Sequence, residues 1–453
     1  MNLPAAYASY KELYNKATAP GGIVGMEEVV DFLFLSLIAG GHCLLTGNPG
    51  LGKTFACNLV ARLWNLDFKR VQFVPDIMPS DILISQIFDE NPATHEPMIK
   101  QIPGPIFTNL LLADEINRAP AKVQSALLEA MQEGQVSTPS RATRIIRTEA
   151  EAEALETYAK AVEAGAIAPF FEHAKEWLVQ DDEGVRRWPQ SLSVLATRNP
   201  WEMEGTYQLG EASLDRFLAE LFVSYPTEKQ MKEIQTEQAG VRAPRPPTRL
   251  QLGAEDMLNA TVLGLQDEKK RKVYLQLKAV VFMATLRMEL LGPKAMNQFS
   301  GTALATTIRD IVAFTHLRSA SADDGGADWS AEAGDSKAAD ESRAAQTKLR
   351  AWAWSQDAEK KRIAETLLRV TSSERYPSVL SGAGPRAVIM LTRAVLVRAF
   401  MEGRAGYPDV ADLIYVLKPV LRHRIRLTPS AQAANRTTDQ VVEELISAFF
   451  PTR

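Results

Sequence analysis

Cysteine is nearly absent from this sequence, because Cys43 and Cys57 are the only two among 453 residues. Two thiols in apolar stretches make no disulfide framework and no cage of zinc ligands. We therefore expect both to be small buried side chains in a chain that works in the reducing cytoplasm. The five histidines are scattered and show no metal-binding spacing such as HExxH.

Long hydrophobic runs and an excess of positive charge are also missing. The apolar run over 32–39 stops at Gly40, which is too short to cross a bilayer, and the N-terminus lacks a signal-peptide pattern, so we expect no membrane insertion. The net charge is −4, which gives no general attraction for nucleic acid. With 46% hydrophobic and 23% charged residues, the composition is that of an ordinary globular protein of two or three domains.

Short apolar runs alternate with helical patterns in the first half of the chain. The predicted strands are 43–46, 70–74, 110–113, 193–197 and 221–224. This alternation predicts an α/β fold, with a parallel five-stranded sheet covered by helices, and such sheets bind ligands at the carboxyl ends of their strands.

The composition changes after Pro226, where strand signals stop and helical patterns take over. We predict an N-terminal helical segment over 1–22, an αβα core over 23–227 and an all-helical domain over 228–453. Two segments look like additions: a helical insertion at about 141–190, and a stretch at about 319–345 rich in Ala, Ser, Asp and Gly, which we interpret as a flexible loop.

A complete phosphate-loop pattern, GxxxxGK[ST], follows the first predicted strand and precedes a helical pattern. Its residues are Gly47, Asn48, Pro49, Gly50, Leu51, Gly52, Lys53 and Thr54. Glycines allow backbone N–H groups to close around phosphate oxygens at the start of a helix. Lys53 can reach the β- and γ-phosphates of ATP, and the Thr54 hydroxyl can ligate Mg²⁺.

Two acids end the third predicted strand. Asp114 suits the coordination shell of Mg²⁺, and Glu115 suits a general base that activates water. Adjacent acids can also be simple solvated strand ends, but the preceding phosphate loop favours the catalytic interpretation.

Polar residues also follow the fourth predicted strand. Asn199 can orient the attacking water, unless it only forms an Asn-Pro turn. Arg216 can stabilise charge on the phosphoryl group, in its own or a neighbouring subunit, unless it only forms a salt bridge at a helix end.

Taken together, these motifs resemble those of the MoxR-type AAA+ ATPases, whose fold is a P-loop αβα core followed by a helical lid. The segments that carry the resemblance are IVG at 23–25, FVPDIMPSDI at 73–82, GPIF at 104–107, ADEINRAP at 113–120, QSALLEAM at 124–131, the stretch 196–217, and GPRA at 384–387. Shorter echoes occur at 403–404 and 423–425.

The resemblance implies a role for several residues. Asn199 corresponds to sensor 1, Arg216 to the arginine finger that acts in the neighbouring subunit, and Arg386 to the sensor 2 arginine of the lid. Ile23, Val24 and Gly25 would flank the adenine.

The resemblance also implies a place of action and a partner. The stretch over about 75–101 would be the helix-2 insert, which tends to face the pore or substrate side of the ring. Members of the family form hexameric rings and use Mg²⁺-dependent ATP hydrolysis to remodel or mature other proteins, often with a partner that carries a von Willebrand factor A (vWA) domain.

The sequence departs from the family in a few places. Arg198 stands where the family usually has Gln, and Gly384 where Ser is common. The segment between Val136 and Leu192 is longer than the usual hairpin, so the insertion either recruits a partner or is a passive addition. Arg118 either contacts nucleotide across a subunit boundary or forms a structural ion pair.

Two other functions stay open: a ring motor stimulated by nucleic acid, and a nucleotide-dependent assembly scaffold. The acidic net charge argues against the first, and the presence of Glu115, Asn199 and Arg216 argues against the second.

Overall fold

The structure is a computed structural model that describes most, but not all, of the chain. The described residues are 25–48, 50–64, 66–90, 97–137, 142–144, 179–180, 186–187, 192–199, 207–232, 293–317, 336–371, 379–404 and 407–451, with scattered positions in 7–15 and 279–292. They fall into two compact units, Met1–Gly292 and Pro293–Arg453.

The described strands in chain order are β1 (Cys43–Thr46), β2 (Phe68–Gln72), β3 (Ile84–Glu90), β4 (Pro97–Pro103), β5 (Leu110–Asp114), β6 (Gln135–Ser137), β7 (Ala142–Arg144), β8 (Val179–Gln180), β9 (Arg186–Arg187), β10 (Ser193–Arg198), β11 (Ala219–Phe222), β12 (Val379–Ser381) and β13 (Arg426–Leu427).

The described helices are α1 (Glu27–Ala39), α2 (Lys53–Leu63), α3 (Pro79–Ile82), α4 (Ala121–Glu133), α5 (Glu211–Leu214), α6 (Pro293–Ser300), α7 (Ala303–Phe314), α8 (Ser336–Ala353), α9 (Ala358–Thr371), α10 (Pro385–Met401), α11 (Val410–Leu421), α12 (Pro429–Ala433) and α13 (Thr438–Phe449). A 3₁₀ turn covers Ile116–Arg118.

The first unit is built on a parallel five-stranded sheet with the order β11-β1-β10-β5-β2, which confirms the predicted fold class. The register pairs Thr46 with Arg198, Ala196 with Ala113, and Gln72 with Asp114. The last residues of four neighbouring strands therefore lie along one edge. The residues that follow them meet there, although they are far apart in sequence.

Two predicted strands lie two residues earlier than their apolar patterns indicated. The strand predicted at 70–74 is β2, and the one predicted at 221–224 is β11. In both cases buried apolar residues continue beyond the last paired position: Phe73 is fully buried past β2, and Val223 is buried past β11. Burial therefore extends further along the chain than strand pairing.

Helix α1 begins with the exposed acids Glu27 and Glu28 but is buried on every side from Phe32 to Ala39. Tyr10 packs edge-on against Phe34, and Phe34 packs in turn against Trp64, the residue that follows α2. Gly40 ends the helix in the left-handed conformation that glycine favours. None of the described helices combines the length and the apolar character that a bilayer span requires.

The first unit continues well beyond residue 227. Ala279, Met283, Leu286 and Leu290 are buried. Arg287 donates two hydrogen bonds to the last carbonyls of α1, to Ile38 O at 3.1 Å and to Leu37 O at 2.9 Å. The contacts thus divide the chain after Gly292, while the domain boundaries at 22 and 227 stay predictions.

The stretch at 75–101 contains α3 and an antiparallel hairpin of β3 and β4. Gly104 closes this hairpin against α3: its N–H donates to Leu83 O at 2.6 Å, and a Cβ at this position would lie 2.3 Å from Ile82 O. Phe88 on β3 is 88% exposed. The base of the hairpin is therefore closely packed, and Phe88 presents an apolar side chain to solvent.

Only short pieces of the predicted insertion at 141–190 belong to the described residues. They are strands: β7 pairs with β6, and β8 pairs with β9. The rest of the predicted helical insertion lies outside the described residues, and so does the tip of the β3–β4 hairpin at 91–96.

The described part of the second unit is helical, apart from the small β12–β13 ribbon. Helix α10 forms its centre, since Leu391, Ala394, Val395 and Phe400 are fully buried. The prediction of a helical C-terminal region is thereby confirmed.

The prediction of a flexible loop over 319–345 is wrong from Ser336 onward, where α8 begins. Ala, Glu, Lys and Arg are good helix formers, so a segment with few large apolar residues can still be helical. Two residues further along anchor α8: Lys348 forms an ion pair with Asp310 at 2.6 Å, and Trp352 packs edge-on against Phe314. Residues 318–335 lie outside the described residues.

Both cysteines are free and buried, as predicted. Cys43 lies on β1 and Cys57 on α2. Burial raises the pKa of the Cys43 thiol to about 12 and also raises that of Cys57. Both therefore stay protonated near neutral pH.

Candidate active site

The phosphate loop joins β1 to α2 through two glycines in the left-handed conformation, Gly50 with φ of 81° and Gly52 with φ of 78°. Position 47 requires glycine for another reason, because a Cβ there would lie 2.4 Å from Val223 O. Since Gly52 caps α2 without a side chain, the first amides of that helix are open to an anion. Pro49 and Val24 lie outside the described residues.

Lys53 lies at the start of α2 and is 9% exposed. Its Nζ donates to Gly47 O at 2.6 Å, which folds the side chain back over the loop. Burial lowers the pKa of Lys53, and the nearby charges of Asp114 and Glu115 partly oppose that shift. The ammonium is thus held in a partly dry site where an added anion would stabilise its charge.

One hydroxyl group positions both predicted acids. Thr197 Oγ1 donates to Asp114 Oδ1 at 2.5 Å and accepts a hydrogen bond from the backbone N–H of Glu115 at 2.9 Å. Glu115 has φ of 58°, a left-handed conformation that is rare for residues other than glycine. Thr197 therefore ties the strand end of β10 to the sharp turn after β5.

Two residues of β2 hold these acids from the other side. Arg70 donates to Asp114 Oδ2 from Nη2 at 2.7 Å and from Nε at 3.1 Å. Its Nη2 also donates to Gln72 Oε1 at 2.9 Å, and Gln72 Nε2 donates to Glu115 Oε2 at 2.8 Å. Neither residue is among the predicted site residues; their only signal in the sequence is that polar side chains alternate at Arg70 and Gln72 within a predicted strand.

Arg118 forms an ion pair with Glu115, with 3.1 Å between Nε and Oε2. This is one of the two roles that the sequence left open. The carboxylate of Glu115 therefore contacts both Gln72 and Arg118.

Asn199 follows β10, and its backbone carbonyl accepts a hydrogen bond from Asn117 Nδ2 at 3.4 Å. Its neighbour Arg198 bonds to Thr46 and Glu220. Both residues lie at the edge of the sheet where β1 and β5 also end.

A cavity of about 240 Å³ opens where these elements meet. Its lining combines the phosphate loop, the tip of β2, the acid pair and the end of β10, namely Gly50, Leu51, Gly52, Lys53, Thr54, Arg70, Gln72, Asp114, Glu115, Thr197, Arg198 and Asn199. The structure thus brings together the predicted phosphate-binding, metal-binding and water-orienting residues; their catalytic roles stay predictions.

The donor set suits Mg²⁺. Thr54 and Asp114 line the same cavity and offer oxygen atoms, which Mg²⁺ prefers. Asp114 Oδ2 is bonded to the Arg70 guanidinium, so a bound Mg²⁺ would compete with Arg70 for this oxygen.

Arg216 is not among the residues that line the cavity. Its side chain instead forms hydrogen bonds within its own chain, while its predicted role as an arginine finger stays a prediction. Its Nε donates to Gln132 Oε1 at 2.9 Å, and its Nη1 donates to Ala212 O at 2.7 Å. The end of α4 and the single turn of α5 both place acceptors within reach of this side chain.

Four other predicted residues, Gly25, Gly47, Asn48 and Arg386, are not among the residues that line the cavity. Gly25 has φ of 77° and donates its N–H to Glu27. Asn48 donates to Tyr225 Oη at 3.2 Å. Arg386 lies in the first turn of α10 in the second unit, where its predicted role as sensor 2 stays a prediction.

Comparison with known proteins agrees with this arrangement. Residues 42–150 and 159–219 match the ATPase family associated with various cellular activities (AAA), and residues 376–445 match the AAA lid domain. A crystal structure of a candidate ATPase from Cytophaga hutchinsonii shares the fold, with a TM-score of 0.63 at 24% identity over 100% of this chain and 97% of that one.

Two relatives indicate which branch of the AAA family the chain resembles. Chaperone MoxR1 of Mycobacterium tuberculosis is 34% identical over 270 residues, which is 60% of this chain and 58% of that protein, so the match spans less than two thirds of its length. Protein MoxR of Paracoccus denitrificans is 25% identical over 96% of this chain and 94% of its own. With its phosphate loop, acid pair and lid, the chain belongs to the MoxR-type AAA+ ATPases.

Proposed function

We propose that this chain is an Mg²⁺-dependent ATPase that hydrolyses ATP to ADP and phosphate and uses the energy to remodel or mature partner proteins. The observation that carries the proposal is the cavity that joins the phosphate loop, the acid pair and Asn199. A storage site for nucleotide needs only the first of these; the other two are what hydrolysis requires.

The roles follow from the positions of the side chains. Lys53 and the first amides of α2 bind the phosphates, while Thr54 and Asp114 would hold Mg²⁺, which when bound adds positive charge to the phosphate oxygens. Asn199 orients a water molecule. Glu115 accepts a proton as the water oxygen attacks the γ-phosphorus and the bond to the bridging oxygen breaks; Gln72 and Arg118 both contact the other oxygen of its carboxylate, Oε2, and hold its orientation.

We further propose a hexameric ring in which Arg216 serves the nucleotide of the next subunit. Support comes from its distance from the described cavity lining and from its place on the surface, bonded to Gln132. The client would be a protein, with a vWA-domain protein as the partner, in the cytoplasm. The Mycobacterium relative's name, a chaperone, supports protein clients.

Phosphate release by the purified full-length chain tests the activity. The wild type is expected to turn over ATP only with Mg²⁺. Glu115→Gln should bind ATP with similar affinity and lose at least ~100-fold in turnover, because it removes the base. Lys53→Ala should lose nucleotide binding itself. Equal turnover by the wild type and Glu115→Gln would contradict the proposal.

Ring assembly is tested separately by sedimentation of Glu115→Gln with ATP, which traps the bound state. The expected particle has six times the mass of the 50.0 kDa chain. A particle that remains monomeric with ATP bound would refute the ring while leaving nucleotide binding intact.

A further inference from the structure

Arg198 directly precedes the predicted sensor residue Asn199, and it stands where the family usually has Gln. In the structure it lines the cavity. It ends β10, directly before Asn199, and its side chain is 28% exposed. Nothing in the proposed reaction uses it so far. Lys53 lines the same cavity, so Arg198 adds further positive charge at the proposed phosphate site.

The guanidinium of Arg198 is fixed on one side by two partners. Nε donates to Thr46 Oγ1 at 2.8 Å, and Nη2 forms an ion pair with Glu220 Oε1. Thr46 Oγ1 also donates to Glu220 Oε1 at 2.6 Å, which closes the set of three. The strand order β11-β1-β10 makes this possible, because Arg198 reaches across β1 to β11.

Glu220 is 2% exposed, so the pair is held in a mostly dry environment. Burying a carboxylate is unfavourable, and an apolar pair of similar volume is often as stable or more so. The arrangement is therefore weak as a stabilising device. It does, however, hold a guanidinium in one orientation beside the cavity before any ligand arrives, and preorganised donors bind developing or added negative charge well.

One nitrogen of this guanidinium, Nη1, remains available to a ligand. In the part of the chain that the structure describes, Nη1 of Arg198 makes no hydrogen bond, while Nε and Nη2 are both engaged. The other cations of the cavity are occupied: Lys53 bonds to Gly47 O, and Arg70 bonds to Asp114. Arg198 also touches the phosphate loop through its backbone, because Gly47 N–H donates to Arg198 O at 3.2 Å.

We propose that Arg198 is a phosphate-binding residue that acts in its own subunit, with Nη1 donating to the terminal phosphate of ATP while Glu220 and Thr46 hold the guanidinium in place. The inference rests on the proposed function, since it assigns a residue to the same nucleotide site. The terminal phosphate is the one concerned because Asn199, the next residue, is expected to face the γ-phosphate. Arg198 should therefore favour ATP over ADP.

The test compares ATP and ADP affinities in a Glu115→Gln background, in which ATP is not consumed, with a fluorescent analogue of each nucleotide. Adding Arg198→Gln, the residue usual in the family, should weaken ATP binding about tenfold, the size of one charge-assisted hydrogen bond. ADP affinity should change by no more than about twofold. Adding Arg62→Gln instead, an exposed arginine of α2 away from the cavity lining, should change neither.

A double variant avoids leaving the buried carboxylate of Glu220 without a cation. Arg198→Gln alone leaves Glu220 without its cation, so the protein should melt at a lower temperature. Arg198→Gln combined with Glu220→Gln should recover much of the melting temperature and still show the loss of ATP affinity. This separates phosphate binding from stability.

The outcomes are distinct. Equal losses of ATP and ADP affinity would mean that Arg198 only supports the phosphate loop, and unchanged affinities would give it no role; either result overturns the inference and leaves the ATPase proposal standing. If the Glu115→Gln parent binds neither nucleotide, the proposed function fails, and this inference fails with it.

Discussion

Gln72 Nε2 and Glu115 Oε2 lie 2.8 Å apart, in a hydrogen bond that joins the tip of β2 to the turn after β5. The predicted catalytic base is therefore held by a neighbouring strand, and the amide of Gln72 is itself oriented by Arg70. Because Gln72 and Arg118 both contact Oε2, they restrict the rotation of the carboxylate that would turn it towards water.

Gln72→Ala should raise basal ATP turnover by about two- to fivefold, because one neutral hydrogen bond that favours the resting position of Glu115 is lost. Nucleotide affinity should stay near that of the wild type. Steady-state phosphate release and nucleotide titration measure the two quantities, with Gln86→Ala on β3 as an exposed glutamine control. A fall in turnover would instead show that Gln72 holds Glu115 in its productive orientation.

Arg216→Ala should bind nucleotide within about threefold of the wild type and lose roughly 10³-fold in turnover, as expected of an arginine finger. The decisive measurement mixes this variant with Lys53→Ala. In a mixed ring, the intact site of one subunit faces the intact arginine of the other, so part of the activity should return. Absence of any recovery would place the action of Arg216 in its own subunit.

Because His42 is buried and neutral, we expect the protein to lose stability in mild acid. His42 is 8% exposed, its Nδ1 accepts a hydrogen bond from Val194 N–H at 3.0 Å, and its Nε2 lies 3.1 Å from Met131 O, so it is neutral in the fold. Burial is the main cause that lowers its pKa from 6.5 to about 4, and Arg287 adds to the shift.

The direction of this pH effect follows from proton binding. Between pH 6.5 and about 4 the unfolded chain binds a proton at His42 that the folded chain does not. The free energy of unfolding should therefore fall as the pH falls through this window, by up to about 3 kcal/mol. Urea unfolding at several pH values measures it. His42→Asn keeps an acceptor for Val194 and should lose this part of the slope; an identical slope would assign it elsewhere.

Gly47→Ala should destabilise the first unit by about 1–3 kcal/mol and weaken nucleotide binding, because the new methyl group would lie 2.4 Å from Val223 O. Backbone at that position has to move, and the phosphate loop moves with it. Gly301→Ala is the matched control, since nothing lies within 4 Å of a Cβ there. Thermal unfolding and nucleotide titration of both variants are sufficient; similar behaviour would show that the loop adjusts easily.

Because Arg198 and Glu220 form an ion pair, we expect the effects of changing them on the free energy of unfolding to be non-additive. Each single change to Gln should lower the free energy of unfolding by about 2 kcal/mol, and the double change by less than the sum, because neither charge is then left unpaired. Arg343→Ala, which removes an exposed ion pair, should stay within about 0.5 kcal/mol. Additive losses in urea unfolding would show that the two side chains do not interact.

The fold and the centre of the site were predictable, because the motif residues follow strands and parallel strands end at one edge. The phosphate loop, Asp114, Glu115 and Asn199 could be assembled in this way. Arg70 and Gln72 could not, since alternate polar residues on an edge strand look the same whether they face solvent or a ligand.

Contacts that depend on strand order were also out of reach. Glu220 is 22 positions from Arg198 and two strands away, and only the order β11-β1-β10 brings them together. The partner of Arg216 depends on where α4 ends. Helix α8 was missed because low hydrophobicity suggested a loop, although its composition favours helix.

The hydroxyl of Thr197 has a consequence for reading related sequences. Because it binds Asp114 and the backbone of Glu115 at once, the acid pair is a three-residue unit drawn from two strands. Serine could replace Thr197, whereas valine, of nearly the same shape, would release both acids. A sequence pattern for this kind of site should therefore specify a hydroxyl two residues before the sensor asparagine as strictly as it specifies the acids.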